Sequence, residues 1–138
     1  MLFEPGERNQ SMEEQENLLK ELIGNAAKIM FVAESERKII GFAAATGGVA
    51  NRNRHSAFIA IGILQAFWNR GIGRRLLKSL ENWAKENRMH RMDLNVSPHN
   101  QRAIHLYEKF GFERAGIKRK SLLVDGEYID EVYMDKVF

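Results

Sequence analysis

An unbroken apolar run, Ala57-Phe-Ile-Ala-Ile-Gly-Ile-Leu64, leads into Phe67-Trp-Asn-Arg-Gly-Ile-Gly-Arg-Arg-Leu-Leu77, which opens a strongly amphipathic segment. A strand that turns through glycines into a helix constrains the rest of the chain more than any other feature. The first backbone N–H groups of the helix have no intrahelical acceptor and point one way. With the positive end of the helix dipole, they suit a phosphate or pyrophosphate. Gly71 and Gly73 are expected to let the backbone bend and approach the anion without a Cβ in the way.

The 138 residues correspond to a single domain, 1–138, and 44% hydrophobic content is ordinary for a globular chain. No apolar run approaches the roughly 20 residues a membrane helix needs, so no membrane partner is expected. The first residues lack a basic-then-apolar signal pattern, and there is no cysteine. Disulfides, thiol nucleophiles and thiolate metal sites are thereby excluded, which fits a cytoplasmic protein. His55, His90, His99 and His105 are scattered without ligand spacing, and no metal is expected. The net charge of +3 is modest but uneven. Arg70, Arg74, Arg75, Lys78, Lys85, Arg88 and Arg91 gather around the glycine turn and its helix, and acidic residues crowd the C-terminal end. Such a basic region attracts a phosphorylated small ligand as readily as nucleic acid. No aromatic residues interleave it as single-strand binders need, so no nucleic-acid partner is expected.

Ser11-Met-Glu-Glu14 has the pattern of a capping box and opens a helix to about Ile23. Ile29–Ala33 and Ile39–Thr46 form a hairpin around Ser35–Lys38. Ala57–Leu64, apolar on both faces, is a central strand, and Gly62 within it marks a bulge or a close backbone approach. Ile72, Leu76, Leu77, Leu80, Trp83 and Ala84 form a helical stripe ending near Arg88. Met92, Leu94 and Val96 alternate with Asp93 and Asn95 as a strand, and Ser97-Pro98 starts a helix that Gly111 ends. Phe112–Val124 and Tyr128–Val137 are two last strands around Asp125-Gly126. The order predicts mixed α/β with one sheet and right-handed crossovers in its parallel part.

Asn100, Ala103 and Tyr107 return to one helical face. A ligand anchored at Gly71–Gly73 and running between the two neighbouring strands would meet that face. Asn100 could bond an amide-bearing arm and Tyr107 could donate a proton. Equally, Asn100 could start the helix and Tyr107 could be a core aromatic with a wet tip. A dinucleotide-binding oxidoreductase would use Gly71-x-Gly73 with Asp93 on a ribose. Against it, Leu76 replaces the third glycine and Asp93 lies inside its strand.

Ile61–Leu77 together with Asn100-Gln-Arg-Ala-Ile-His-Leu-Tyr-Glu-Lys-Phe-Gly-Phe112 resembles the GCN5-related N-acetyltransferase superfamily. The first block is similar to its Gln/Arg-x-x-Gly-x-Gly/Ala signature. The second matches every position of its Asn-x-x-Ala-x-x-x-Tyr-x-x-x-Gly-Phe block. The resemblance runs from about Ile29 to the C-terminus. It implies a single mixed, mainly antiparallel twisted sheet with a splayed parallel central strand pair and flanking helices. It further implies direct acetyl transfer from acetyl-CoA to a primary amine of a small molecule, polyamine or protein N-terminus. The backbone from Arg70 through Gly71, Ile72, Gly73 and Arg74 to Arg75 would hold the pyrophosphate, and Ile61, Ile63 and Leu64 the pantetheine arm. Asn100 and Ala103 would line that arm, and Tyr107 would protonate the departing thiolate. A non-catalytic acyl-CoA-binding regulatory domain would keep the phosphate site without the acceptor chemistry.

Three departures from the family carry expectations of their own. Trp68 stands where the signature has Gln or Arg. Only Met1–Gln10 precede the Ser11 helix, so the family's first strand is expected to be short, missing or replaced, and a homodimer to cover the Ile29–Ala33 edge. The central strand has no carboxylate to serve as general base, and Glu34 and His55 stand as alternatives. The acceptor groove is expected beside a Gly62 bulge, rimmed by Gly47–His55 and Val124–Asp130, with Asp125, Glu127 and Asp130 attracting a cationic amine.

Overall fold

The computed structural model describes residues 27–138. The expected Ser11 helix, and whatever stands for the family's first strand, lie outside the described residues. Strands β1 (Lys28–Ser35), β2 (Lys38–Gly47) and β3 (Ser56–Ile63) are followed by a 3-10 turn, Gln65–Phe67, and helix α1 (Ile72–Glu86). Then come β4 (Arg91–Val96), helix α2 (Gln101–Phe110), β5 (Glu113–Val124) and β6 (Glu127–Val137). These form one six-stranded sheet in the order β1-β2-β3-β4-β6-β5. Every neighbouring pair is antiparallel except β3 and β4.

Period-2 alternation sets the two faces of the sheet. Ala43 and Ala45 of β2, Ala57 and Ile59 of β3, Met92, Leu94 and Val96 of β4, and Val132 and Met134 of β6 are buried in one core. Leu76, Leu77, Leu80 and Ala84 of α1 and Ile104 of α2 close that core from one side. Within α1, Glu81 is buried too. Its carboxylate meets Lys85 at 2.9 Å and Lys136 at 2.9 Å. Burial pushes its pKa up, but the hydrogen bonds from the two lysines outweigh burial and hold it below the ordinary carboxylate value.

Two expectations are corrected. The helix does not start at Ser97-Pro98 but at Gln101. Asn100 is its N-cap, and the Asn100 side chain accepts from the Ala103 N–H at 3.3 Å. A side-chain cap on the second or third helical N–H fixes a helix start more firmly than a proline's fixed φ. Gly62 does not mark a bulge either. β2 and β3 stay in register from Gly41↔Ile63 to Gly47↔Ala57, with Gly62 opposite Phe42. The Gly62 carbonyl would lie 3.1 Å from a Cβ on Gly41, so this is the close backbone approach. Register shifts fall instead between Ala33 and Glu34, and at two places in β5.

Candidate active site

The parallel pair is short. β3 and β4 pair only from Ser56↔Arg91 to Phe58↔Asp93 and then splay. Beyond that fork, Ile59–Ile63 have no strand partner on the β4 side. The Leu64 N–H donates to Ile40 O at 2.8 Å, toward β2. By alternation, the backbone groups of Ile63 and Ile61 face the gap. Leu64 therefore does not line it as expected, because its carbonyl is also taken, by the Phe67 N–H at 2.9 Å. The Ile63 carbonyl accepts from the Trp68 indole N–H at 2.9 Å.

At the open end of the fork the chain enters α1 through Gly71, whose φ of +77° only glycine adopts cheaply. A Cβ on Gly71 would meet nothing within 4 Å, so the space beside this turn is open. Gly73 has a different reason. A Cβ there would lie 2.6 Å from Leu106 Cδ2 and 3.3 Å from Ile63 Cδ1. Gly73 is buried where α1 meets α2, so it serves helix packing rather than a bare approach to an anion. The first intrahelical bond runs from the Arg75 N–H to Gly71 O at 3.2 Å. Among the described residues, no side chain caps the preceding N–H groups, and the first turn holds no acidic residue. Arg74 and Arg75 stand there instead, exposed, with Arg70 just before. Cations at this end oppose the helix dipole, an arrangement that an anion would relieve.

Trp68 and Arg102 make a contact that the sequence did not disclose. The Arg102 guanidinium sits 4.3 Å from the centre of the Trp68 ring, tying the first turn of α2 to the glycine turn. Their separation in sequence hides such a pair; the departure at Trp68 was its one signal. Asn100 and Ala103 lie at the start of α2, with Asn100 exposed and its Oδ1 used in capping. Tyr107, one turn further, is buried and packs edge-on against Phe112 at 5.8 Å. Burial pushes its phenol up to about 12, so it stays protonated at neutral pH.

Of the two expected bases, Glu34 is not brought to the fork, and His55 lies at its closed end, just before the Ser56↔Arg91 pair. His55 precedes β3 at its paired end, roughly 30 Å of strand from Leu64 at about 3.3 Å per residue. Its carbonyl accepts from the His90 N–H at 2.7 Å, and the two rings lie 6.2 Å apart. Glu34 is exposed on β1, two strands away from β3 and beyond a register shift. Asp125, Glu127 and Asp130 belong to the β5–β6 hairpin tip, which outruns β4, since β6 pairs with β4 only from Val132 onward. Asp130 accepts from the Lys120 N–H at 2.8 Å and so holds that hairpin together.

A carboxylate does stand at the fork. Asp93, in the last β3–β4 pair, faces away from the helices. It accepts from the Tyr133 hydroxyl at 3.0 Å and from Ser56 Oγ at 3.4 Å. Burial, with Asp93 next in effect, raises the Tyr133 phenol above its ordinary value and keeps it a donor.

The sequence matches the model of the acetyltransferase (GNAT) family over residues 2–112. The chain belongs to that family. The match reaches further toward the N-terminus than the resemblance from Ile29 onward had suggested. Among GNAT proteins, the L-amino acid N-acetyltransferase AaaT of Escherichia coli is 36% identical over 90 residues, which are 62% of this chain and 54% of that protein. The N-alpha-acetyltransferase RimI of Mycobacterium tuberculosis is 34% identical over 98 residues, covering 68% of this chain and 58% of RimI. The crystal structure of a GNAT acetyltransferase from Streptococcus pneumoniae superposes with a TM-score of 0.82 at 31% identity, over 95% of this chain and 79% of that one. The chain spans about half the length of the curated relatives it matches. These GNAT neighbours share the mixed sheet with its one parallel pair, as the sequence predicted. No helix among the described residues is long and apolar enough to cross a membrane.

Proposed function

We propose that this protein transfers an acetyl group from acetyl-CoA to a primary amine. One observation carries the proposal: the uncapped α1 N-terminus, flanked by Arg70, Arg74 and Arg75, opens beside the unpaired edge of β3. The pyrophosphate of acetyl-CoA binds the N–H groups of Gly71, Ile72, Gly73 and Arg74, with the arginines adding charge. The pantetheine arm continues the sheet along Ile61 and Ile63, entering the gap that β4 leaves. Asn100 offers its free amide N–H groups, and Ala103 leaves room for the arm.

The amine nitrogen attacks the thioester carbonyl carbon, the C–S bond breaks, and the sulfur takes a proton from the Tyr107 hydroxyl. Tyr107 regains its proton from water, and the amine nitrogen gives up its own to water. No acyl-enzyme is formed, in keeping with a chain that has no cysteine. The names of the relatives support an α-amino acceptor, either a free amino acid or a protein N-terminus.

Incubation with acetyl-CoA and a panel of L-amino acids, an alanine-terminated peptide and spermidine tests this. Thiol release is followed by a disulfide dye and the product by mass spectrometry. Amine-dependent thiol release with an acetylated product is expected. Acetyl-CoA binding without turnover of any member would favour a regulatory acyl-CoA-binding domain instead.

A further inference from the structure

A cleft of about 220 Å³ lies on the sheet face opposite α1 and α2, lined by Thr46, Gly47, Gly48, Asn53, Ser56, Phe58 and Asp93. Thr46, Phe58 and Asp93 are neighbours in one cross-strand row, through Thr46↔Phe58 and Phe58↔Asp93. That row is the last before β3 and β4 part. The cleft therefore abuts the vertex of the fork.

Its charge is unbalanced. Arg91 is the nearest cation in this network, but its Nη2 donates to Asp135 at 3.0 Å and to the Tyr133 hydroxyl at 2.8 Å. Asp93 receives only neutral donors, from Tyr133 and Ser56, and has no ion-pair partner among the described residues. A part-buried carboxylate without a counter-charge favours a cation. Around it, the hydroxyls of Ser56 and Thr46 add acceptors, which suits a group with three N–H donors. The Phe58 ring, 41% exposed, offers an apolar and π-bearing wall.

We infer that Asp93 is the anchor for the ammonium group of a compact aliphatic amine, and that this cleft is where the acceptor docks. The inference rests on the proposed acetyl transfer for its purpose, but not for its test. Bound there, the amine stands at the fork vertex, next to the gap that the pantetheine arm enters. The two hydroxyl partners of Asp93 fix its orientation rather than neutralise it.

Titration of the full chain with ethylammonium chloride, followed by amide NMR against potassium chloride at equal ionic strength, reads the site without acetyl-CoA. Saturable shifts at Ser56, Phe58 and Asp93 are expected. Asp93→Asn, which keeps the shape and both hydroxyl contacts, should weaken them about tenfold, the usual worth of a hydrogen bond to a charged group. Thr46→Lys, at an exposed position in the same row, should abolish them by seating a tethered ammonium against Asp93. Acetyl-CoA affinity, measured separately by calorimetry, should be unchanged in both variants. No saturable shift in the wild type, or ethylammonium affinity in Asp93→Asn and Thr46→Lys equal to that of the wild type, overturns the inference. Failure of acetyl-CoA to bind the wild type would instead strike at the proposed acetyl transfer and leave the ammonium result standing.

Discussion

Tyr107 is protonated at neutral pH and stands on the helix face that the proposed reaction uses. It shares a helical face with Ala103, and its burial holds the phenol near 12, well above its ordinary value. A hydroxyl that cannot ionise near neutral pH remains a proton source for a thiolate. Tyr107→Phe keeps the ring and its contact with Phe112, so the fold should survive. The expected outcome is a kcat lower by about 10²-fold or more with acetyl-CoA affinity little changed, the usual scale of acid catalysis. Steady-state kinetics with an acceptor from the panel, together with calorimetry, checks it. An unaltered kcat would leave Tyr107 as a core aromatic. The sequence located this tyrosine by spacing alone; its burial comes from β-strand and helix partners that no local pattern names. Asn100 is the reverse case. Both of its readings were visible in the sequence, and the hydrogen bond to the Ala103 N–H decides for the cap while leaving its amide nitrogen free.

At the scale of the element, α1 and α2 depend on each other through Gly73. An alanine there gains helix propensity, by about 1 kcal/mol. It also drives a methyl group to 2.6 Å from Leu106, an overpacking that offsets part of that gain. Because the methyl group must displace the tip of the half-buried Leu106 side chain, Gly73→Ala should gain less than that propensity alone, and the full gain in a Leu106→Ala background. Urea unfolding of the four variants gives the coupling, expected at up to about 1 kcal/mol. Additive effects would mean that the helices do not touch there. The glycine turn and both helical stripes were legible in the sequence because periodicity and glycine placement are local signals. The separate purposes of the two glycines were not. Gly71 answers to its own φ, whereas Gly73 answers to a helix more than 25 residues later in the chain. The start of α2 was misplaced by the same limit, since Ser97-Pro98 and Asn100 both carry start signals.

For the molecule as a whole, the splay between β3 and β4 joins the two halves of the proposed chemistry. In that proposal, the pyrophosphate binds at the open end of the fork and the amine at its vertex. A single mixed sheet with a parallel part followed from the element order, and its splayed central pair from the family resemblance, whereas the strand order is set by pairings no local pattern names. The Asp93 cluster did not follow either, because it assembles Ser56, Arg91, Tyr133 and Asp135 from separate strands. For the same reason Glu34, plausible by chemistry, lies at the far edge of the sheet, and His55 at the paired end of β3 rather than beside the glycine turn. Everything proposed about catalysis depends on the anion site at the start of α1. Amide NMR of the chain titrated with acetyl-CoA tests that site most directly. Saturable shifts that are largest at Gly71, Ile72, Gly73 and Arg74, and that weaken steeply with added salt, are the predicted result. Saturable binding that leaves those four amides unmoved, or no binding at all, would contradict it.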